Sequence, residues 1–178
     1  MVGFLGVGLG TPDEYKTFEG SYKPKQLGRK YDEALAIITQ LWTGEAVTFS
    51  GEFFTVEGAK LSVLPIQSPR IPIVMGCWWP HKKPFCRAAN WDGIMPAWPA
   101  MYPDLLGPQG ERATDTYEGE LRALVSYYRG LTDGKPGEII LPVGQENLRF
   151  NLYHELGVTW LIDMEIEGIE DVSRGPLN

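Results

Sequence analysis

Residues able to do chemistry are sparse in this 178-residue chain, and the densest group is Gly76-Cys77-Trp78-Trp79, with His81 two positions further on. The five residues Ile71-Pro72-Ile73-Val74-Met75 lead into it and are almost wholly apolar. That pattern suits a parallel strand buried on both faces. A glycine directly after such a strand lets the chain turn sharply, or lets a ligand come close to the backbone. Where a strand end meets the next helix, backbone N–H groups and the helix dipole can hold a phosphate. Gly76, Cys77, Trp78 and Trp79 are therefore the candidate ligand-binding residues.

The remaining candidates are isolated. His81 is one of two histidines. It has the chemistry to donate to a phosphate or to act as a general base, and a solvated loop histidine is the plainer reading. Cys77, close to a helix start, is a candidate for a thiol of lowered pKa, although no base lies beside it in sequence. Cys77 and Cys86 lack metal-ligand spacing, so no zinc site is expected. Asp163 ends the last apolar run, and a carboxylate at a strand's C-terminal end is a candidate site residue. Asp92 beside Gly93 reads as a turn residue, and His154 as a structural one. Arg29 lies on the polar face of a helix, where exposure alone explains it.

The elements that must position these residues follow from periodicity. Val2–Leu9 is apolar with glycines and reads as a buried strand, because no helix opens directly behind it as a dinucleotide fingerprint requires. Thr11–Lys25 reads as a loop. From Gln26 to Trp42, Leu27, Tyr31, Ala34, Leu35, Ile38, Leu41 and Trp42 recur at helical steps, and Gly44 supplies a C-cap. Val47–Val56 reads as a hairpin turning at Ser50-Gly51, with a further short strand at Leu61–Leu64. A strand at Ile71–Met75, a helix from Lys83 to Asn90 and a strand at Gly93–Ala97 make a βαβ unit, the connection that generates parallel sheets. Met95–Gly110 is an irregular loop of the length used for lids. The periodicity then predicts a helix over Thr114–Gly130 with Leu121, Leu124, Val125 and Tyr128 on one face. A strand at Glu138–Val143, a helix at Gln145–Leu156 capped by Gly157, a strand at Val158–Met164 and a last helix start at Ile166–Val172 complete the pattern.

Composition narrows the function classes. A net charge of −7 and a pI near 4.9 argue against a nucleic-acid partner or an anionic membrane surface. No apolar run approaches the ~20 residues that span a bilayer. The start lacks a basic leader and cleavage site, and two cysteines do not make a disulfide framework. A cytoplasmic protein of one domain, residues 1–178, is the expectation.

The phrases LGVGLGTPDEY, GRKYDEALAIITQLWTGEAVTFSGEFFTVEG and IVMGCWWPHKKPFCRAANWDGIMP occur in one order. Together they resemble the luciferase-like monooxygenase family, flavin- or deazaflavin-dependent oxidoreductases on a (β/α) barrel. The resemblance implies an α/β fold, an incomplete TIM-type barrel of about five parallel strands with a hairpin insertion and its N-terminal strand–helix units missing. It implies FMN or the deazaflavin coenzyme as cofactor and a small organic substrate. In it, Arg29 falls where some members hold the cofactor phosphate. Trp78 and Trp79 stand where members often carry small residues, and would either stack on an isoalloxazine ring or plug the barrel mouth. Asp163 stands where a related subgroup tends to be acidic. A five-stranded sheet leaves two raw edges, so a homo-oligomer that covers them is expected, unless the chain is a piece of a longer enzyme. The alternative to an enzyme is a non-catalytic degenerate barrel that binds a flavin-like ligand or only oligomerises.

Overall fold

The computed structural model describes residues 3–20, 23–101, 117–133, 137–143 and 149–163. Five strands form one sheet in the order β1-β4-β5-β6-β7, and the hairpin β2–β3 stands apart from it. The fold is α/β with a five-stranded parallel sheet, as an incomplete (β/α) barrel requires. The chain divides into two compact units, Met1–Gly76 and Cys77–Asn178.

In the first unit, β1 (Leu5–Val7) pairs in parallel with β4 (Ile73–Trp78), matching Leu5 to Ile73 and Val7 to Met75. Ile73, Val74 and Met75 are all buried, which is why this run reads as apolar without alternation. The strand begins two residues later than periodicity suggests and continues through Cys77 and Trp78. The expected loop over Thr11–Lys25 is instead largely helix α1 (Pro12–Glu19). Its start is fixed by a capping box: Thr11 Oγ1 accepts from the Glu14 amide at 3.4 Å and the Glu14 carboxylate accepts from the Thr11 amide at 2.6 Å. No α1 residue is buried, so there was no apolar stripe to reveal it. Helix α2 (Pro24–Leu41) buries Leu27, Leu35 and Ile37.

The hairpin loop is tied to α2 by two side chains, Glu33 and Arg29. Strands β2 (Val47–Ser50) and β3 (Thr55–Ala59) are antiparallel and joined by a four-residue loop, Gly51–Phe54, rather than by a two-residue turn at Ser50-Gly51. The carboxylate of Glu33, on α2, accepts from the amides of Glu52 (2.7 Å), Phe53 (3.0 Å) and Phe54 (3.1 Å). These three donors have no strand partner at the loop, and the carboxylate replaces it. Leu61–Leu64 is irregular and not a strand; Val63 is exposed, and Leu64 packs over Gly44, which has a φ of +81° in the turn after α2, whose C-cap is Trp42 rather than Gly44.

In the second unit, the end of β4 leads into α3 (Lys82–Ala88), β5 (Gly93–Ala97), a short 3-10 turn at Pro99–Met101, α4 (Tyr117–Leu131), β6 (Glu138–Val143), α5 (Phe150–Glu155) and β7 (Trp160–Asp163). Strand β6 pairs in parallel with β5, Ile94 to Ile139, and with β7, Leu141 to Leu161. Every one of Ile139 to Val143 is buried, and Leu121, Leu124, Val125 and Tyr128 of α4 supply the helical side of the core. At Gly93 a Cβ would lie 2.5 Å from the Glu138 carbonyl oxygen, so β5 approaches β6 here only without a side chain. The expected elements or parts at Tyr102–Gly110, Thr114–Thr116, Gln145–Leu148, Met164 and Ile166–Val172 lie outside the described residues.

Burial pushes the Glu33 carboxyl up, but the amides of Phe53, Glu52 and Phe54, with Arg29 nearby, outweigh it and the net shift is downward. A depressed carboxyl stabilises the clasp above its ordinary value of 4.5, and that stability is lost as pH falls through the lowered folded value. The protection factors of the Phe53 and Phe54 amides, taken relative to intrinsic exchange at each pH, are therefore expected to fall on acidification below that range, and Glu33→Ala to lower them at neutral pH. Protection indifferent to both changes would show that the clasp does not hold the hairpin.

Candidate functional site

A parallel sheet delivers the C-terminal end of every strand to the same side. In the second unit these ends are Trp78, Ala97, Val143 and Asp163. The first two are stitched together where the amide of Trp79, one residue past β4, donates to the carbonyl of Ala97 at the end of β5, at 2.8 Å. Asp163 pairs in register with Val143 at the end of β7 and is exposed. Sequence reasoning placed Gly76 and Trp78 after the strand; the structure puts Gly76 inside β4 and makes Trp78 its last residue, while Asp163 ends β7.

Alternation along β4 sorts the candidate group. Cys77 is 2% exposed. Its near neighbours are on the helices, since both Arg87 of α3 and Tyr128 of α4 interact with it electrostatically. Gly76 and Trp78 share the opposite face; Gly76 is exposed and Trp78 half-buried. A Cβ at Gly76 would meet the Val7 carbonyl at 3.6 Å, an ordinary contact, so this glycine is not demanded by the sheet. The thiol of lowered pKa expected at Cys77 is not found. Burial pushes it up to about 12, and the Arg87 charge offsets only part of that rise. Its place inside the strand, rather than in a loop at a helix N-terminus, is the cause.

Trp79 turns to the helices. Its ring meets Phe85 edge-on at 5.7 Å and Tyr127 at 5.8 Å, and Phe85 meets Tyr127 at 6.0 Å. Lys82 Nζ sits 3.5 Å from the centre of the Trp79 ring and 3.9 Å from that of Tyr127. An ammonium between two rings is worth about 0.5–2 kcal/mol, depending on how dry the site is. This box fastens α3 to α4, and it engages the Trp79 ring from within the chain. His81 is the exposed N-cap of α3 and makes no side-chain capping bond.

Two further features were not foreseen. Trp98 follows β5 and is fully buried, with its ring 4.9 Å from that of Tyr117. Its indole Nε1 meets no hydrogen-bond partner among the described residues. Tyr117 in turn shares a hydroxyl contact of 3.1 Å with Tyr153 and lies under the Arg149 guanidinium at 4.9 Å. Lys82 and Tyr127 stand out in sequence only once α3 and α4 are known to be adjacent. Arg29, in the first unit, is engaged by Glu52 through two 2.9 Å bonds and lies 5.9 Å over the Phe53 ring. His154 is exposed on α5. Among the described residues no group of three or more His, Cys, Asp or Glu could hold a metal, and no helix is long and apolar enough to cross a membrane.

Comparison with known proteins gives a consistent result. The model of the luciferase-like monooxygenase family matches residues 4–97. An F420-dependent glucose-6-phosphate dehydrogenase of Gordonia bronchialis is 34% identical over 75 residues, covering 40% of this chain and 22% of that protein. Among solved structures, the monooxygenase RslO1 of Streptomyces bottropensis superposes with a TM-score of 0.58 at 20% identity, covering 86% of this chain and 44% of that one. The oxygenating constituent of 3,6-diketocamphane monooxygenase from Pseudomonas putida, a type II Baeyer-Villiger monooxygenase in complex with FMN, gives 0.55 at 14%, covering 78% and 38%. At such identities the structural likeness speaks to the fold. The chain spans about a fifth to a quarter of the length of the curated relatives it matches.

The two cysteines, Cys77 buried and Cys86 exposed, provide a test of this geometry. Iodoacetamide at neutral pH is expected to label Cys86 and spare Cys77 in the native protein, and to label both in denaturant, as read by peptide mass spectrometry. Equal labelling of the two in the native state would place Cys77 in a loop after all.

Proposed function

The chain belongs to the luciferase-like monooxygenase family, and from that premise we propose that it is part or all of a flavin- or deazaflavin-dependent oxidoreductase acting on a small organic substrate. The observation that carries the reading is the family match over residues 4–97 falling on a sheet whose parallel strands end on one side. FMN or the deazaflavin coenzyme, when bound, supplies the redox chemistry, and the protein binds, orients and excludes water. Gly76 and Trp78 are proposed to line the ring site: the glycine leaves room, and the indole on the same strand face offers an apolar platform. Asp163 at the end of β7 and His81 at the start of α3 are the proposed polar groups facing a substrate, with proton transfer as their available chemistry. The two free thiols suit a reducing, cytoplasmic setting.

Titration with FMN and with the deazaflavin coenzyme, followed by flavin fluorescence, tests this. Saturable binding of one of them is expected, weakened roughly three- to tenfold by Trp78→Ala, since an aromatic pair is worth about 0.5–1.5 kcal/mol. Failure of both to bind favours the second reading, a degenerate barrel that is not catalytic. The engagement of Trp79 and Arg29 within the chain is the observation that keeps that reading in play.

A second copy of the chain is the proposed cover for the sheet edges. Strands β1 and β7 stand at the two ends of the order, and on β7 Trp160 and Ile162 are 42% and 40% exposed. Light scattering after size exclusion is expected to give the dimer mass, and Ile162→Lys to shift it toward the monomer. A monomer that persists at high concentration would refute the pairing.

A further inference from the structure

Strand-end turns of parallel (β/α) folds commonly cradle a phosphate on backbone N–H groups. The turn after β4 is the natural candidate here, and its donors can be followed one by one. The Trp79 amide donates to Ala97 O at 2.8 Å and the His81 amide to Trp78 O at 3.0 Å. Pro80 and Pro84 carry no N–H at all. That leaves the amides of Lys82 and Lys83, at the start of a helix of only seven residues. The cation best placed to help them, Lys82, has its ammonium seated on Trp79 and Tyr127 at 3.5 and 3.9 Å. In the first unit, the other candidate phosphate holder, Arg29, spends its Nε and one Nη on the two carboxylate oxygens of Glu52.

We propose that the β4–α3 turn is filled from within and is not a phosphate cradle: Lys82 occupies the Trp79–Tyr127 box, and a flavin-type ligand is held at this turn by its ring alone. A pocket that reads the ring and leaves the phosphate unread there gains as much from a neutral flavin as from its phosphate ester. The chain thus departs from the phosphate clamp that its fold leads one to expect at this position, and Arg29 does not substitute for it. This inference rests on the flavin-type reading above for its ligand, and on the donor geometry alone for the turn.

The test compares FMN with riboflavin on the full chain, in the natural sequence and in Lys82→Met and Arg29→Ala. Methionine keeps an apolar stem on the rings of the box, so Lys82→Met is not expected to unfold it. Each variant is expected to leave the ratio of the two affinities unchanged to within about twofold. A loss of about tenfold for FMN with riboflavin unaffected, in either variant, would overturn the proposal. In parallel, an amide nitrogen–proton NMR titration with inorganic phosphate is expected to leave the Trp79, His81, Lys82 and Lys83 resonances in place. Saturable shifts of these amides would overturn it. Should neither flavin bind, the flavin reading fails, and the phosphate titration still decides: unmoved amides support the filled turn and moved ones reject it.

Discussion

A parallel strand cannot be reached by a tight turn, and this constraint governs the described sheet. Strands β5, β6 and β7 are each reached through a helix, α3, α4 and α5 in turn, so each strand ends on the same side and hands its loop to the same region. The buried runs at Ile73–Met75 and Ile139–Val143 follow from being covered on both faces. Gly93 follows from the same demand, because β5 must come within a backbone's reach of Glu138 to keep the ladder. The ligand-facing end and the core are thus two results of one topological rule.

Much of this was legible in the chain. The strands at β4, β5, β6 and β7 and the helices α2, α3 and α4 came from periodicity, within a few residues at their ends, because each carries an apolar run or stripe that only burial explains. Helix α1 was not, since it buries nothing; the Thr11-Pro12-Asp13-Glu14 cap was the available signal, a threonine, a proline at the first helical position and a glutamate three residues after the cap. The hairpin loop was misjudged because Ser50-Gly51 has the composition of a tight turn, while Glu33, seventeen or more residues away, decides where the loop closes. Leu61–Leu64 shows the reverse error: apolar residues near a proline that are in part exposed.

The candidate site divides the same way. Where a residue stands along a strand is largely local information, so Asp163 was placed at the end of its strand, whereas β4 runs on through Gly76 to Trp78. What its side chain meets is not local. Cys77 looked like a loop thiol, but three further residues of strand place it inside β4, near Arg87 and Tyr128. Trp79 looked like a ring platform, and its ring is engaged by Lys82, Phe85 and Tyr127. The latter pairing links residues over forty positions apart through the packing of α3 on α4, which no spacing in the sequence displays.

The Glu33 clasp has a consequence for how this fold can vary. Among the described residues the hairpin shares no ladder with the five-stranded sheet, and its tip is moored to α2 by the Glu33 carboxylate and by the Arg29–Glu52 ion pair. Residues could be added to or trimmed from its arms without shifting any strand of the sheet out of register. Of its two strands only Val47 is buried, so most of the hairpin is free to change, while Gly93, wedged against Glu138, has no such latitude.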